Sequence, residues 1–345
     1  MSQNILIRTP NHLGDCLMAM PMINNVGEAY PGGTVTLLTP SHLADLFRPN
    51  PAIDGIIEIP PEHLHGLMAV IKIRDVIAPL EFDIGYILPP SFGAAAGFKL
   101  GNIKERIGYI ADGRRLLLTK PLPLVSPLNS VHRSELYYNL LRRSTKTEIE
   151  YVKPKLFLND DDINNGIKLL DGFNIKANDK FICIAFKAVA ESRRWGFDNY
   201  TELIKEIISK LHHKVILIGS SSDQEDGNLL AERTSTKDVI NLAGKTTLRE
   251  AAAILSLSRV FVGNDSGPAH LAAAVGARVV VLSGADDPKS TTPLATDKRL
   301  IYLEELGCIS CVKNKCPLKN DQHMQCMKGI SVEMVFDAVK ELIEI

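Results

Sequence analysis

Short apolar runs alternate with amphipathic stretches along the whole chain. The runs are four to six residues long and the stretches repeat apolar residues at helical spacing, which predicts strands that alternate with helices. This order is typical of parallel sheets covered by helices, so we predict an α/β fold. The predicted strands are 5–8, 35–38, 55–59, 83–88 and 106–109 in the first half, and 181–186, 214–218, 239–242, 259–262, 277–282 and 300–303 in the second.

A polar stretch between the halves predicts a domain boundary. It contains the runs Asn159-Asp-Asp-Asp and Lys176-Ala-Asn-Asp around one helical patch, a composition that favours a linker. The last helix repeats apolar residues at helical spacing and therefore needs a surface to pack on. We expect a first domain over 1–158, a linker over 159–178, a second domain over 179–330 and a C-terminal helix over 331–345.

Composition narrows the possible functions. With 345 residues, of which 45% are hydrophobic, the chain can bury more than one domain's core. The formal net charge of −1 lacks the basic excess of nucleic-acid-binding proteins, so we expect no nucleic-acid partner. The N-terminus has no signal-peptide pattern, and no run approaches the roughly 20 apolar residues that span a bilayer. We expect a cytoplasmic protein.

One turn in the second half has the features of a phosphate site. A buried strand ends in Asp265, Ser266 and Gly267, and a helix is predicted to begin near Pro268. A helix N-terminus offers unpaired N–H groups and partial positive charge, which suit a pyrophosphate. Asp265 or Ser266 could instead cap the helix. His270, in the first turn, is either a ligand contact or a histidine buried beneath the loop.

This segment, Asn264-Asp-Ser-Gly-Pro-Ala-His-Leu-Ala-Ala-Ala, resembles the signature of the ADP-heptose:lipopolysaccharide heptosyltransferases (glycosyltransferase family 9), particularly the heptosyltransferase II branch. The resemblance implies a GT-B fold, in which two Rossmann-like domains with parallel sheets face each other across a cleft. It also implies an inverting sugar transfer with the nucleotide-sugar held by the C-terminal domain. Further matching segments, in the family's order, are Ile5-Leu-Ile-Arg-Thr-Pro-Asn-His-Leu-Gly-Asp, Tyr86-Ile-Leu-Pro-Pro-Ser-Phe, Arg106-Ile-Gly-Tyr, Asn241-Leu-Ala-Gly-Lys-Thr-Thr and the cysteine-rich stretch near the C-terminus.

Asp15 is the candidate catalytic base. Inverting transfer needs a base to take the proton of the acceptor hydroxyl, and Asp15 follows the first strand, at the edge of the sheet where α/β folds bind ligands. From position alone, Asp15 could equally cap the following helix; the resemblance favours the base. We expect Asp15 and residues 265–270 to line opposite walls of one crevice.

The resemblance also implies donor-binding residues. Arg193 takes the place of a family lysine that contacts donor phosphate, and Arg194 follows it. A guanidinium can grip two phosphate oxygens at once, whereas lysine is a point charge. Gly219 and Lys245 lie in segments expected near the nucleotide, and Gly196 replaces the family's usual proline. With the turn described above, the predicted donor set is Arg193, Arg194, Gly219, Lys245, Asp265, Ser266, Gly267 and His270.

A local basic excess suggests an anionic acceptor. Residues 91–147 contain ten lysines and arginines against three acids, and such a patch attracts anions in a salt-dependent way. An ordinary solvated surface is the alternative. The resemblance implies an acidic glycolipid acceptor, a lipid A-Kdo core, and the same patch could contact an anionic inner membrane leaflet. The predicted acceptor-binding residues are Asn11, Ser91, Arg106, Arg114 and Arg115.

Four cysteines near the C-terminus form a candidate metal site. Cys308, Cys311, Cys316 and Cys326 could hold a structural zinc ion, although their spacing is irregular. Buried thiols and a redox-labile pair are the alternatives. The chemistry implied by the family requires no metal and no other cofactor.

Two other functions stay open. The loops 186–190 and 283–287 depart from the family pattern, as does Arg193, which would suit a catalytically silent protein that binds a sugar-nucleotide or a glycolipid. A GT-B-fold epimerase or hydrolase would turn over the donor without an acceptor. Retention of Asp15 and of the segment 264–270 argues against the silent protein.

Overall fold

The computed structural model describes residues 2–124, 131–145, 147–176 and 178–345. The chain divides into two compact units, Met1–Phe157 and Leu158–Ile345, which we call the N-terminal and C-terminal domains. Each is built around one six-stranded sheet. Over the described ranges, no helix combines the length and the apolar character needed to cross a membrane.

The N-terminal domain is a parallel sheet with helices on its faces. Its elements are β1 (Asn4–Arg8), α1 (Leu13–Met18), α2 (Met20–Ala29), β2 (Thr34–Pro40), α3 (Ser41–Ala44), β3 (Gly55–Ile59), α4 (Gly66–Ile77), β4 (Ile84–Ile87), α5 (Phe92–Leu100), β5 (Glu105–Tyr109), β6 (Lys120–Leu122) and α6 (Arg133–Thr145). The sheet order is β3-β2-β1-β4-β5-β6, and every neighbouring pair is parallel. Ile7 of β1 lies between Leu37 and Tyr86, and all three are fully buried.

The C-terminal domain repeats this plan. Its elements are α7 (Asp160–Gly172), β7 (Phe181–Ala185), α8 (Phe197–Glu206), β8 (Lys214–Leu217), α9 (Gln224–Thr234), β9 (Val239–Asn241), α10 (Leu248–Leu257), β10 (Val260–Asn264), α11 (Gly267–Ala274), β11 (Val279–Leu282), α12 (Pro288–Thr291), β12 (Lys298–Ile301), α13 (Gln325–Lys328) and α14 (Val332–Glu344). The order β12-β11-β10-β7-β8-β9 is again fully parallel. Both sheets have the strand order of a Rossmann fold.

The predicted α/β fold with two parallel sheets is confirmed. Each of the eleven predicted strands occurs, with ends displaced by at most two residues. The pattern missed β6, which has only three residues, contains Pro121 and lies at the edge of its sheet. Proline cannot donate a hydrogen bond to a neighbouring strand and is tolerated at sheet edges, so a short strand of this kind leaves little apolar signal.

The segment 159–178, predicted as a linker, is mostly a helix of the C-terminal domain. Asn159 and Asp162 form a reciprocal capping box at the start of α7. Arg249 of α10 donates to Asp162, with Nε 2.7 Å from Oδ1, and a Cβ added at Gly166 would lie 2.9 Å from the Cβ of Ala253. The polar residues that suggested a linker therefore begin a packed helix.

The C-terminal helix finds the surface that its pattern required. α14 buries Val335, Val339 and Leu342 against α8 and the strands β10 to β12. Ser331 caps its first turn by accepting a hydrogen bond from the amide of Met334. The helix belongs to the core of the C-terminal domain and does not form a separate unit.

Candidate functional site

The strand order gives each domain one switch point, where connections leave neighbouring strands in opposite directions. These points lie between β1 and β4 and between β7 and β10, and open α/β sheets bind ligands at the carboxyl ends of such strands. Asn11 and Asp15 follow β1, and Ser91 follows β4. Arg193 follows β7, and the turn 265–270 follows β10. Most predicted site residues therefore lie at the switch point of their own domain.

The start of α11 has no side-chain cap among the described residues. The helix begins at Gly267 with Pro268 in its first turn, as predicted. The Ser266 hydroxyl donates to the carbonyl of Asn264 at 3.1 Å and does not turn back to the helix. The Asp265 carboxylate faces His270 instead, with 3.8 Å between Oδ1 and Nε2. The alternative that Asp265 or Ser266 serves as a cap is excluded, so the dipole of α11 can act on a ligand.

Asp265 is a buried acid with an unusual protonation equilibrium. Its surface is 3% exposed, and Oδ2 makes no hydrogen bond to any described residue. Burial, assisted by the nearby charge of Asp286, raises the pKa of Asp265 to about 8, against the opposing effect of Arg193 and Lys298. Asp265 is therefore largely protonated at neutral pH and can donate a hydrogen bond to an anion.

Arg193 pairs with an acid that the sequence did not identify. Its Nη2 lies 2.6 Å from Oδ1 of Asp286, whose side chain is 7% exposed against 33% for Arg193. Asp286 follows β11, the strand next to β10, in a loop that departs from the family pattern. In the sequence, Asp286 is recognisable only as an acid that follows a strand. Such acids are too common to identify the partner of Arg193.

The loop that carries Arg193 is held from both sides. Asn264, at the end of β10, accepts a hydrogen bond from the amide of Trp195 at 3.2 Å. The amide of Ser192 donates to the carbonyl of Asn314 at 3.2 Å. Arg194 is turned back onto its own loop, since its Nε donates to the carbonyl of Ala188 at 2.8 Å. Arg194 therefore shapes the loop, whereas Arg193 points to the switch point.

The residues expected near the nucleotide lie farther along the sheet. Gly219 follows β8 and accepts from the amide of Gly244 at 3.0 Å; a Cβ there would lie 3.0 Å from Asp223. Lys245 follows the edge strand β9, donates to the carbonyl of Asn241 at 3.0 Å and lies over the ring of Phe173. The interactions of both residues are with their own part of the sheet and with Phe173. Their role in donor binding stays a prediction.

Asp15 is not the N-cap of the helix that follows β1. α1 begins at Leu13 with His12 as its N-cap, so Asp15 lies within the first turn. Its Oδ1 is 2.8 Å from Nη1 of Arg133, and the Asp15 side chain is 22% exposed. Arg133 begins α6, 118 positions later in the chain. The pair holds the carboxylate in one direction while leaving part of it accessible.

A buried arginine supports Asn11. Arg8 ends β1, is 3% exposed, and donates from Nη2 to Oδ1 of Asn11 at 2.5 Å. Burial lowers the pKa of Arg8 to about 10, so it stays a cation at neutral pH. Ser91 caps α5 by accepting a hydrogen bond from the amide of Ala94 at 3.3 Å. Asn11 and Ser91 thus lie at the carboxyl ends of adjacent strands, each with a defined orientation.

The arginines predicted to bind the acceptor have different surroundings. Arg106 lies at the amino end of β5, away from the switch point, and donates to the carbonyls of Ile103 and Leu117. Arg114 is 1% exposed and donates to the carbonyls of Pro89, Ile87 and Tyr109. These contacts favour a structural role for both. Arg115 is exposed.

Other members of the basic excess are also paired within the domain. Lys104 contacts Asp83 at 2.7 Å and Lys120 contacts Glu105 at 3.3 Å. Arg143 donates to the carbonyl of Pro123. Lys146 lies outside the described residues. The count of basic residues therefore overstates the free positive charge of this surface.

The four C-terminal cysteines line one small cavity. Its volume is about 70 Å³, and Ser192 and Ala285 also line it. No disulfide joins the cysteines, and the amide of Met324 donates to the sulfur of Cys316 at 3.3 Å. Among the described residues, no three His, Cys, Asp or Glu side chains are placed to hold a metal ion. The thiols converge without forming a ligand set.

Comparison with known proteins identifies the family of this chain. A profile of glycosyltransferase family 9 (heptosyltransferase) matches residues 70–321. The lipopolysaccharide heptosyltransferase 2 of Salmonella typhimurium is 28% identical over 313 residues, which cover 87% of this chain and 88% of the relative. The lipooligosaccharide heptosyltransferase 2 of Haemophilus influenzae is 25% identical over 348 residues, which cover 99% of each.

Solved structures show the same fold. The ADP-heptose lipopolysaccharide heptosyltransferase II of Escherichia coli superposes with a TM-score of 0.81 at 24% identity, over 99% of each chain. A heptosyltransferase of E. coli solved with ADP-2-deoxy-2-fluoro heptose has a TM-score of 0.71 at 16% identity, over 98% of this chain and 99% of that one. The predicted GT-B fold is confirmed by these matches. Since the family profile covers well over half of its length, the chain belongs to glycosyltransferase family 9, the heptosyltransferases, and is a glycosyltransferase.

Proposed function

We propose that the protein transfers a heptose from ADP-L-glycero-D-manno-heptose to the lipid A-Kdo inner core of lipopolysaccharide, with inversion at the anomeric carbon. The observation that carries most weight is the meeting of Arg193, Asp265 and the start of α11 at one switch point. A guanidinium, a protonated carboxyl group and a helix dipole together form a site for a diphosphate. The heptosyltransferase 2 relatives support the choice of sugar and acceptor.

In the proposed reaction, Asp15 takes the proton of an acceptor hydroxyl while its oxygen attacks the anomeric carbon of the donor. The bond between that carbon and the diphosphate oxygen breaks, and ADP leaves with the electron pair. Arg193 and the start of α11 stabilise the charge that develops on the diphosphate. Arg133 holds Asp15 in the direction needed. The acceptor oxygen attacks from the face opposite the departing diphosphate, which inverts the configuration at the anomeric carbon. The proposed reaction uses no metal or other cofactor.

The acceptor side is proposed to involve Asn11, Ser91 and Arg115. The first two lie at the switch point of the N-terminal sheet, and Arg115 offers an exposed cation for a phosphate or a Kdo carboxylate. We propose that the enzyme works at the cytoplasmic face of the inner membrane, where such a lipid would be presented. Exposed basic residues of the N-terminal domain would then contact anionic headgroups.

The test is a reconstituted transfer assay. Purified protein receives ADP-heptose and lipid A-Kdo, and mass spectrometry follows the lipid while chromatography follows ADP. We expect one added heptose for each ADP released, with inverted anomeric configuration by NMR. Donor turnover without any acceptor would indicate an epimerase or a hydrolase. Donor binding with no product from the correct lipid would indicate a silent binding protein.

A further inference from the structure

Asp286 and Arg193 form a close ion pair. The Asp286 carboxylate lies 2.6 Å from the guanidinium, and both side chains are mainly buried. The ion pair with Asp286 is formed by Nη2 of Arg193, and the buried Nε of Arg193 makes no hydrogen bond to the described residues. The guanidinium is therefore fixed at one edge and keeps other N–H groups for a second anion.

The backbones of both partners are held by the same segment. Val312 donates from its amide to the carbonyl of Ala285 at 2.7 Å, and the Ser310 hydroxyl donates to the carbonyl of Asp286 at 3.1 Å. The carbonyl of Asn314 accepts from the amide of Ser192, next to Arg193. One stretch of chain, 310–314, thus fixes the loops after β7 and β11 relative to each other. The geometry of the ion pair is built into the domain.

We propose that Asp286 is a positioning residue, which holds the Arg193 guanidinium where it meets the diphosphate of the donor. This inference rests on the proposed function. An unrestrained arginine would lose side-chain entropy when it bound a phosphate, and the ion pair removes that loss before the donor arrives. Asp286 also carries a charge that would repel a diphosphate, but Arg193 neutralises it. An arginine can donate hydrogen bonds to a carboxylate from one edge of its guanidinium and to a phosphate from another. A lysine is less suited to this because its ammonium group is a point charge.

A double-mutant cycle tests this role, with ADP as the probe and isothermal titration calorimetry as the measurement. We expect Asp286→Ala to weaken ADP binding about tenfold in the wild-type background, a typical loss for a charge pair. In an Arg193→Ala background the same change should cost clearly less ADP affinity, because the ion pair with Arg193 is already absent. In transfer assays, Asp286→Ala should raise KM for the donor more than it lowers kcat.

Asp287→Ala is the matched control. Asp287 is the neighbouring acid, but its carboxylate accepts from the amide of Lys289 and the hydroxyl of Ser290, whereas Arg193 pairs with Asp286. It should leave ADP affinity nearly unchanged. Asp286→Asn retains an acceptor oxygen, so its affinity should fall between wild type and Asp286→Ala, and it provides the same test if the alanine variant does not fold.

The outcomes separate the inference from the proposed function. Unchanged or tighter ADP binding by Asp286→Ala, or an equal loss in both backgrounds, would overturn the positioning role. If Arg193→Ala itself binds ADP as wild type does, the donor site has been placed wrongly and the proposed function fails at that point. If Arg193→Ala binds weakly while both Asp286 variants bind normally, the donor site stands and this inference alone is wrong.

Discussion

At the scale of single residues, Arg114 and Arg115 are chain neighbours with opposite surroundings. Arg114 is buried and serves three backbone carbonyls, whereas Arg115 is exposed. Arg114→Ala should lower the free energy of unfolding by about 3 kcal/mol, since it leaves buried carbonyls without donors. Arg115→Ala should leave stability unchanged and weaken acceptor binding in a salt-dependent way. Urea unfolding distinguishes the two, and equal stability losses would contradict this assignment.

Asp265 gives a residue-scale prediction about pH. Its pKa is raised from 3.8 to about 8 in the folded protein, so the folded state binds a proton that the unfolded state releases between these values. Its contribution to stability is complete below about pH 4 and is lost as pH rises through about 8. Asp265→Asn removes this proton. The melting temperature of wild type should therefore fall more steeply than that of Asp265→Asn between pH 5 and 8.5; parallel curves would show that Asp265 does not titrate there.

The strand pattern predicted that Asp15, Asp265 and Arg193 follow strands, whereas the roles of Asp15 and Arg193 were implied by the resemblance and stay predictions. Their partners were not predictable. Arg133 lies 118 positions from Asp15, and Asp286 is one of several acids that follow strands in the second half. An ion pair between distant segments depends on how loops pack, and periodicity along one chain carries no information about that packing.

At the scale of elements, the backbone conformation at the start of α8 explains why Gly196 stands where the family usually has a proline. Gly196 has φ of +107°, a conformation open to glycine and closed to proline. Gly196→Ala should cost about 1–3 kcal/mol from backbone strain. As the matched control, Gly27 lies exposed inside α2 with no atom near an added Cβ, so Gly27→Ala should stabilise by about 0.5–1 kcal/mol. Thermal unfolding with opposite signs for the two variants is the expected result; equal signs would contradict it.

The sequence left open whether the cysteine-rich segment holds zinc, buried thiols or a redox-labile pair. Cys308, Cys311 and Cys316 are accessible, whereas Cys16, Cys183 and Cys326 are buried, and burial raises the pKa of Cys16 to about 12. Three thiols should therefore react with a thiol reagent such as DTNB in the native protein and six after unfolding. If the C-terminal thiols become reactive only after a chelator is added, the zinc alternative is correct.

At the scale of the whole molecule, the repeated strand-helix pattern determined most of the fold. Buried parallel strands such as β7 are apolar throughout, so the strands other than β6 could be located along the chain once turns separated them. The segment 159–178 was assigned wrongly because its local pattern fits two structures. The polar Asn159 and Asp162 are typical of a linker and equally typical of a helix cap, and only the packing of α7 on α10 distinguishes the two.

The proposed transferase mechanism divides its work between the domains, with the base in one and the diphosphate site in the other. Asp15 should therefore affect the chemical step and leave donor binding alone, whereas Arg193 should affect both. The most direct test compares Asp15→Asn with wild type by ADP titration and by single-turnover transfer of heptose to lipid A-Kdo. We expect the same ADP affinity within about twofold and a transfer rate lower by about 10²–10⁴; a rate that stays near the wild-type value would contradict the assignment of Asp15 as the base.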